Sequence, residues 1–503
     1  MLTTSTSKIA LGLLFLFGGT IVQAQNIFTE AGKNIEFKVE GEVTTSDGQS
    51  PLWLNANKYG LSSVKGDYGY LRAGISRPLS AADSTRNWRL GYGLDIAAPY
   101  NFTSSFVLQQ LYADIQYKKV RLSIGSKERP ANLKNAELSS GSQTLGINAR
   151  PIPEMRFEIP EYISITGKSD WAAIKGHFGY GFMTDGGWQS DYVTPGTRYA
   201  KNALYHSKAG FLRIGNEEKF PLVFEGGLEM ASQFGGTIYN IDELGYSKLE
   251  MGHGIKDFWN ACFGGGSDAT DGVYGNATGN TVGSWLFSLS YKWKDWKIRA
   301  YYDHFFEDHS MMFFEYGWLD GLVGVELTLP KNPIVSSLVY EYINTTYQAG
   351  PIYHDHTEAI PDQISAVDDY YNHILYQGWQ HWGQAIGNPL FTSPLYDNNG
   401  QLRFTGNRFK AHHFGISGDP VEGLHYRILY SYTSNWGTYN IPYPDVRYNN
   451  SLLCELNYQL DYLKGLNAKG WSVGAAFALD RGKQIGDNTG FQFTIRKTGL
   501  LTH

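Results

Sequence analysis

The stretch Gly283-Ser284-Trp285-Leu286-Phe287-Ser288-Leu289-Ser290-Tyr291-Lys292-Trp293-Lys294 decides the fold. Trp285, Phe287, Leu289, Tyr291 and Trp293 recur at every second position, with Ser288, Ser290 and Lys292 between them. A period of two puts the aromatic and aliphatic groups on one face of a strand and the small or charged groups on the other. Arg86 to Ala97 repeats the pattern, with Trp88, Leu90, Tyr92, Leu94 and Ile96 interleaved with Arg89, Gly91, Gly93 and Asp95. Further segments carry Leu424, Tyr426, Ile428, Tyr430 and Tyr432, or end the chain with Phe491, Phe493 and Ile495.

About eighteen such segments can be counted, starting near residues 35, 66, 87, 106, 120, 155, 171, 204, 222, 284, 295, 321, 335, 406, 423, 450, 470 and 489. The sixth is the weakest. Each is about ten residues long, the length of a tilted strand that crosses a bilayer, whereas strands of soluble sandwiches average five or six. The apolar face often begins or ends in Trp or Tyr, as the headgroup region favours. The sequence therefore predicts an all-β fold, an antiparallel outer-membrane β-barrel of about eighteen strands with long extracellular loops.

Connection lengths test this independently. Those after even-numbered strands are short, such as Lys118-Lys119, Gly167 to Asp170, Lys294-Asp295, Pro330 to Ile334 and Gly418 to Glu422. Most after odd-numbered strands are long: Thr44 to Lys65, Lys127 to Glu154, Met183 to Ala203, Gln233 to Val282, Glu307 to Asp320, Thr345 to Thr405 and Ser434 to Asn449. Bacterial barrels sort their periplasmic turns from their surface loops in this way.

Composition agrees. The 503 residues include 58 Gly, 35 Tyr, 27 Phe and 13 Trp, but only 18% are charged, against about 25% in soluble domains. A formal net charge of −6 with scattered Lys and Arg provides no basic stripe, which excludes nucleic acid as a partner. The apolar run Ile9 to Val22 follows Lys8 and precedes Gln23-Ala24, the pattern of a cleaved signal peptide over residues 1–24, leaving 25–503 as the barrel. The two cysteines, Cys262 and Cys454, make no disulfide framework.

Chemistry is concentrated in the longest loop. Asp368 to Gly378 has Val367, Tyr370, Tyr371 and Ile374 at helical spacing, with Asp368 as a cap and Gly378 as a stop, so a short helix is expected there. The following Gly378, Gly383 and Gly387 point to backbone packed closely over the barrel mouth. Trp and Tyr rings cover the apolar face of a pyranose, while amides bond its hydroxyls. On that chemistry Tyr371, Trp379, His381, Trp382 and Asn388 are the candidate carbohydrate-binding residues. The alternative is that Trp379 and Trp382 only hold the loop in place. His354-Asp355-His356 with Glu358 could ligate a metal, but no fourth ligand is indicated, and neither Asp303-His304 nor His412-His413 is singled out as catalytic. No Gly-x-Ser-x-Gly elbow occurs, and Gly264-Gly265-Gly266 lacks the context of a phosphate cradle. No catalytic residue, metal or cofactor is assigned.

The mature chain resembles the Wzi-type capsule assembly proteins of Gram-negative outer membranes. Pro51-Leu52-Trp53-Leu54-Asn55-Ala56-Asn57-Lys58-Tyr59-Gly60, Gly125-Ser126-Lys127-Glu128 and Tyr376-Gln377-Gly378-Trp379 through Gly383 to Ile386-Gly387-Asn388-Pro389-Leu390 carry the likeness. The resemblance implies an eighteen-stranded barrel closed by folded loops. It implies a lectin-like, non-enzymatic role in attaching and organising capsular polysaccharide, with outer-membrane lipid and the capsule export machinery as further partners. About ten residues separate the signal from the first strand, too few for the N-terminal helical plug of enterobacterial members. Two other readings stay open: a porin or channel for saccharides or small solutes, supported by the barrel alone, and an outer-membrane hydrolase.

Overall fold

The computed structural model describes residues 31–82, 85–241, 246–263, 279–307, 319–332, 334–353, 364–463, 465 and 467–502. The signal segment and the stretch His354 to Glu358 lie outside them.

Eighteen antiparallel strands form one sheet. The first six are β1 (Glu36–Asp47), β2 (Tyr68–Arg77), β3 (Trp88–Tyr100), β4 (Val107–Tyr117), β5 (Val120–Ser126) and β6 (Glu154–Ser164). Next come β7 (Ala172–Phe182), β8 (Leu204–Ile214), β9 (Leu222–Phe234), β10 (Asn280–Trp293), β11 (Trp296–Glu307) and β12 (Gly321–Thr328). The last are β13 (Ser337–Asn344), β14 (Phe409–Val421), β15 (Leu424–Gly437), β16 (Pro442–Gln459), β17 (Trp471–Gly482) and β18 (Asn488–Leu500). Each pairs with the next, and β18 returns to β1 in a register running from Glu36↔Leu500 to Asp47↔Thr489. The barrel is closed, so no sheet edge is left to face lipid.

The alternation read from the sequence sorts cleanly between the two faces. Outward, Val43 pairs with Phe493 and both are half or more exposed, as are Leu71 and Phe491. Inward, Glu40, Glu42, Arg72 and Asp95 are buried. Trp171, Trp293, Trp296 and Trp471 are exposed at the end with short turns, and Tyr100, Phe106 and Tyr448 at the opposite end. An apolar outer band between two aromatic rims, around a polar interior, is a surface made for a bilayer. The protein is an outer-membrane β-barrel.

Two local expectations differ from the structure. Ser434 to Asn449 is not a loop: β15 and β16 run on to a tight turn, with Thr438 N–H bonded to Ile441 O at 3.2 Å. The prolines Pro442 and Pro444 hid this extension, because proline cannot donate to a ladder and argues against a strand. Asp368 to Gly378 is not a helix, since Tyr371 takes φ +66° and Gly378 φ +75°, which end any right-handed turn. The loop helices are α1 (Leu52–Asn55), α2 (Gly186–Tyr192) and α3 (Ile255–Phe263) among the described residues. Cys262 and Cys454 are both free thiols.

Candidate functional site

An eighteen-stranded barrel is too wide for its own side chains to fill. Here outer loops fill it. Residues 48–67, 127–153 and 370–408 fold inward and share one core with the barrel wall, including Trp53, Leu138, Tyr370, Tyr371, Trp379 and Phe391 from the loops and Tyr301, Phe305 and Val339 from strands.

Residues 127–153 contain neither helix nor strand, so their polar backbone needs other partners. Inward carboxylates hold both its backbone, at the N–H groups of Ser140, Gln143 and Leu145, and its side chains. Glu229 accepts from Asn132 Nδ2 at 2.7 Å, Glu326 from Asn135 Nδ2 at 2.8 Å, and Glu341 from Ser139 Oγ at 2.6 Å and Ser140 N–H at 2.7 Å. Lys134 pairs with Asp303 at 3.1 Å with both side chains out of solvent. His413 Nε2 donates to Leu138 O at 2.8 Å, so this histidine positions the plug.

The stretches Pro51 to Gly60 and Trp379 to Leu390, far apart in sequence, meet inside the plug. Asn55 and Gln384 exchange amide hydrogen bonds of 2.8 and 3.3 Å. Gly146 N–H bonds Ile386 O at 3.0 Å, and a Cβ on Gly387 would run into Tyr371 Oη and Gln143 O. The close backbone approach expected from the glycines is therefore present.

The five candidate sugar-binding residues fall into two groups. Tyr371, Trp379, His381 and Asn388 are at most 1% exposed, and their polar atoms are engaged within the protein. Trp379 Nε1 donates to Thr144 O at 3.0 Å; Asn388 Nδ2 donates to Ser140 Oγ and Gly141 O, each at 3.1 Å. Tyr371 stacks on Phe391 with centroids 3.9 Å apart. In this arrangement these four hold the plug together and cannot meet a polymer from outside. Only Trp382 is partly exposed.

Trp382 belongs to a shelf at the outer mouth. Trp188 lies 6.0 Å from it and stacks on Tyr192 at 5.0 Å, both from α2 and both partly exposed. The Arg150 guanidinium covers Trp382 at 4.5 Å and donates to Ser104 Oγ and Thr103 Oγ1 at 2.9 and 3.0 Å. Burial lowers the Arg150 pKa to about 10. His381 stands behind the shelf: Nδ1–H donates to Arg150 O at 2.9 Å, and Nε2 accepts from Thr184 N–H at 3.3 Å and its hydroxyl at 2.9 Å. Burial, with a smaller opposing pull from Asp185, holds this imidazole below its ordinary pKa. A proton on Nε2 would face the Thr184 N–H, itself a donor. Trp188 and Tyr192 were missed in the sequence, although Trp188-Gln189-Ser190-Asp191-Tyr192 places two rings one helical turn apart.

Below the plug a cavity of about 530 Å³ is lined by opposed charges, among them Glu40, Lys58, Arg72, Arg427, Glu455 and Arg496. Arg72 forks onto Asp95 at 2.8 and 2.7 Å and reaches Glu128 at 2.8 Å, and Arg427 holds Glu455 at 2.8 Å.

No family model matches the chain, and no curated protein does. Among solved structures, Pseudomonas aeruginosa OccK5 (OpdH) is similar at 8% identity, over 93% of this chain and 98% of that one, with a TM-score of 0.46. Acinetobacter baumannii OccAB4 matches at 10% identity, over 94% and 100%, with a TM-score of 0.46. A loop-deletion variant of OmpT, an outer membrane protein of Vibrio cholerae, matches at 9% identity, over 93% and 98%, with a TM-score of 0.37.

Proposed function

We propose that this barrel is a non-enzymatic, lectin-like surface protein that helps attach and organise capsular polysaccharide, as its likeness to Wzi-type proteins implies. The observation that carries the reading is the pairing of a closed mouth with an open aromatic shelf. Loops whose rings are buried stop the lumen, while Trp188, Tyr192 and Trp382 keep part of their faces toward the exterior. Neighbouring ring faces suit a chain of pyranoses, each of which offers an apolar face. The sugar site of this proposal is thus the shelf, with Tyr371, Trp379, His381 and Asn388 as its support.

The test is the partition of capsular polysaccharide between cell-bound and released fractions in a deletion strain, complemented with the wild-type gene or with Trp188→Ala/Trp382→Ala. Release of normal polymer in the deletion strain, unrepaired by the double variant, is expected. An unchanged capsule with slower uptake of a solute would instead favour the second reading, a saccharide or solute channel. That reading draws support from the charged cavity beneath the plug, whose Arg and Glu rows would orient a polar solute once the loops moved.

A further inference from the structure

The wall formed by β7, β8 and β9 is covered on its outer face. At the outer end of these strands the outward positions form three rows: Phe178, Lys208 and Met230; Tyr180, His206 and Ser232; Phe182, Leu204 and Phe234. Lys208, His206 and Ser232 are polar groups on the side of the barrel that faces lipid, where such groups are costly. α3 lies over them. Tyr180 Oη donates to Phe258 O at 2.6 Å, Ser232 Oγ to Ala261 O at 3.4 Å, and Lys208 Nζ to Cys262 O. Phe258 packs edge-on against Tyr180 and Phe234 at 5.0 and 5.2 Å. His206 is 0% and Ser232 1% exposed beneath it. Lys208 thus sets its charge on a carbonyl at the helix C-terminus, where a cation is favoured.

A second face of α3, about a quarter-turn round from the one on the barrel, is apolar and bare. Ile255, Trp259 and Phe263 follow at i, i+4 and i+8 and are 92%, 65% and 56% exposed, and Trp259 and Phe263 touch at 4.5 Å. This stripe is not covered by the barrel and continues its lipid-facing band, in which Ile174, Phe178, Leu212 and Phe182 are exposed on the same strands. The eleven residues of β7 climb roughly 28 Å at a tilt of about 40°, about the height of the apolar band. Tyr180 and Phe182 therefore stand at its outer edge, and α3 is level with the headgroup region of the outer leaflet.

We propose that α3 is an interfacial anchor: Ile255, Trp259 and Phe263 insert into the outer-leaflet lipid, and the helix seals Lys208, His206 and Ser232 from the hydrocarbon. A Trp and Phe stripe flanked by the polar Lys256, Asp257 and Asn260 is the pattern of a helix that lies in a membrane interface. The inference does not depend on what the shelf binds.

The test uses the full-length protein with Cys262→Ala and Cys454→Ala, carrying Ile255→Cys labelled with a polarity-sensitive fluorophore and reconstituted into phosphatidylcholine vesicles. Asn399→Cys, exposed in an outer loop, is the control. Heat-modifiable mobility on gels confirms that both barrels are folded. The label at 255 is expected to emit further to the blue than the label at 399, to be quenched by phosphatidylcholine dibrominated near the headgroup, and to resist aqueous iodide. Water-like emission with full iodide quenching at 255 would overturn the proposal. So would shielding that bromine does not detect and that grows with the protein-to-lipid ratio, because the stripe would then be a contact between copies of this chain.

Discussion

Removal of one plug ring should turn a closed barrel into one that opens rarely but measurably. Eighteen strands spaced about 4.8 Å apart and tilted about 40° give a backbone circumference of about 110 Å and a diameter of about 36 Å, so only the loops keep ions out. Trp379 sits at 0% exposure in the centre of the plug, with Nε1 bonded to Thr144 O at 3.0 Å and its ring 6.4 Å from Tyr205 of the wall. Trp379→Ala empties that volume at a cost of about 3–5 kcal/mol and orphans a buried carbonyl. The barrel ladder does not pass through Trp379, so the cost falls mainly on the docked state of the plug. At about 1.4 kcal/mol per decade, the undocked population rises by roughly two to three and a half powers of ten. In planar bilayers the wild type is expected to be almost silent, and Trp379→Ala to show discrete, brief openings at a much higher frequency. Steady wild-type current, or a silent Trp379→Ala barrel whose plug loops have become protease-sensitive, would refute the argument that these packed loops are what closes the lumen.

Gly387→Ala pushes a methyl group into Tyr371 Oη and the Gln143 carbonyl, an overpacking cost of about 1–3 kcal/mol; faster proteolysis of the plug loops at unchanged barrel mobility would show it. Trp188→Ala or Trp382→Ala should weaken binding of purified capsular polysaccharide several-fold to about tenfold without raising conductance, the scale of one exposed anchor ring, and calorimetry would detect either loss. Because folding lowers the His381 pKa, the unfolded plug binds the proton more tightly. Plug protection should thus be full above about pH 6.5 and decline as the pH falls below it, and His381→Gln should flatten that part of the profile in a pH series of limited proteolysis.

Much of the barrel is legible in the chain because a period of two assigns each side chain to a face without regard to what lies beyond. The expected strand starts at 120, 204, 222 and 321 coincide with Val120, Leu204, Leu222 and Gly321. The expectation failed at 450, where β16 begins at Pro442, because the sequence there spells a proline-rich segment that only a protruding hairpin tolerates. Side-chain exposure within the longest loop was not legible. Trp379 is buried by Thr144 and Tyr205, and Asn388 by Ser140 and Gly141. Those partners lie more than a hundred residues away, and no local pattern announces them. The spacing of Gly378, Gly383 and Gly387 did announce close packing, since it reports a local backbone requirement.

The inward charges gain meaning from the same comparison. By alternation Glu229, Asp303, Glu326 and Glu341 fall on the inward face of their strands. In the folded chain each binds a particular group of residues 127–153, a segment with no secondary structure of its own. A loop with no ladder of its own is held in a lumen by partners at fixed heights, and the wall strands supply acceptors every second residue. Wall and plug are therefore one hydrogen-bonded unit. A barrel built this way invests its interior in holding its loops still, and still loops are what a rigid outer shelf of Trp188, Tyr192 and Trp382 needs if its rings are to meet a polymer without first being ordered.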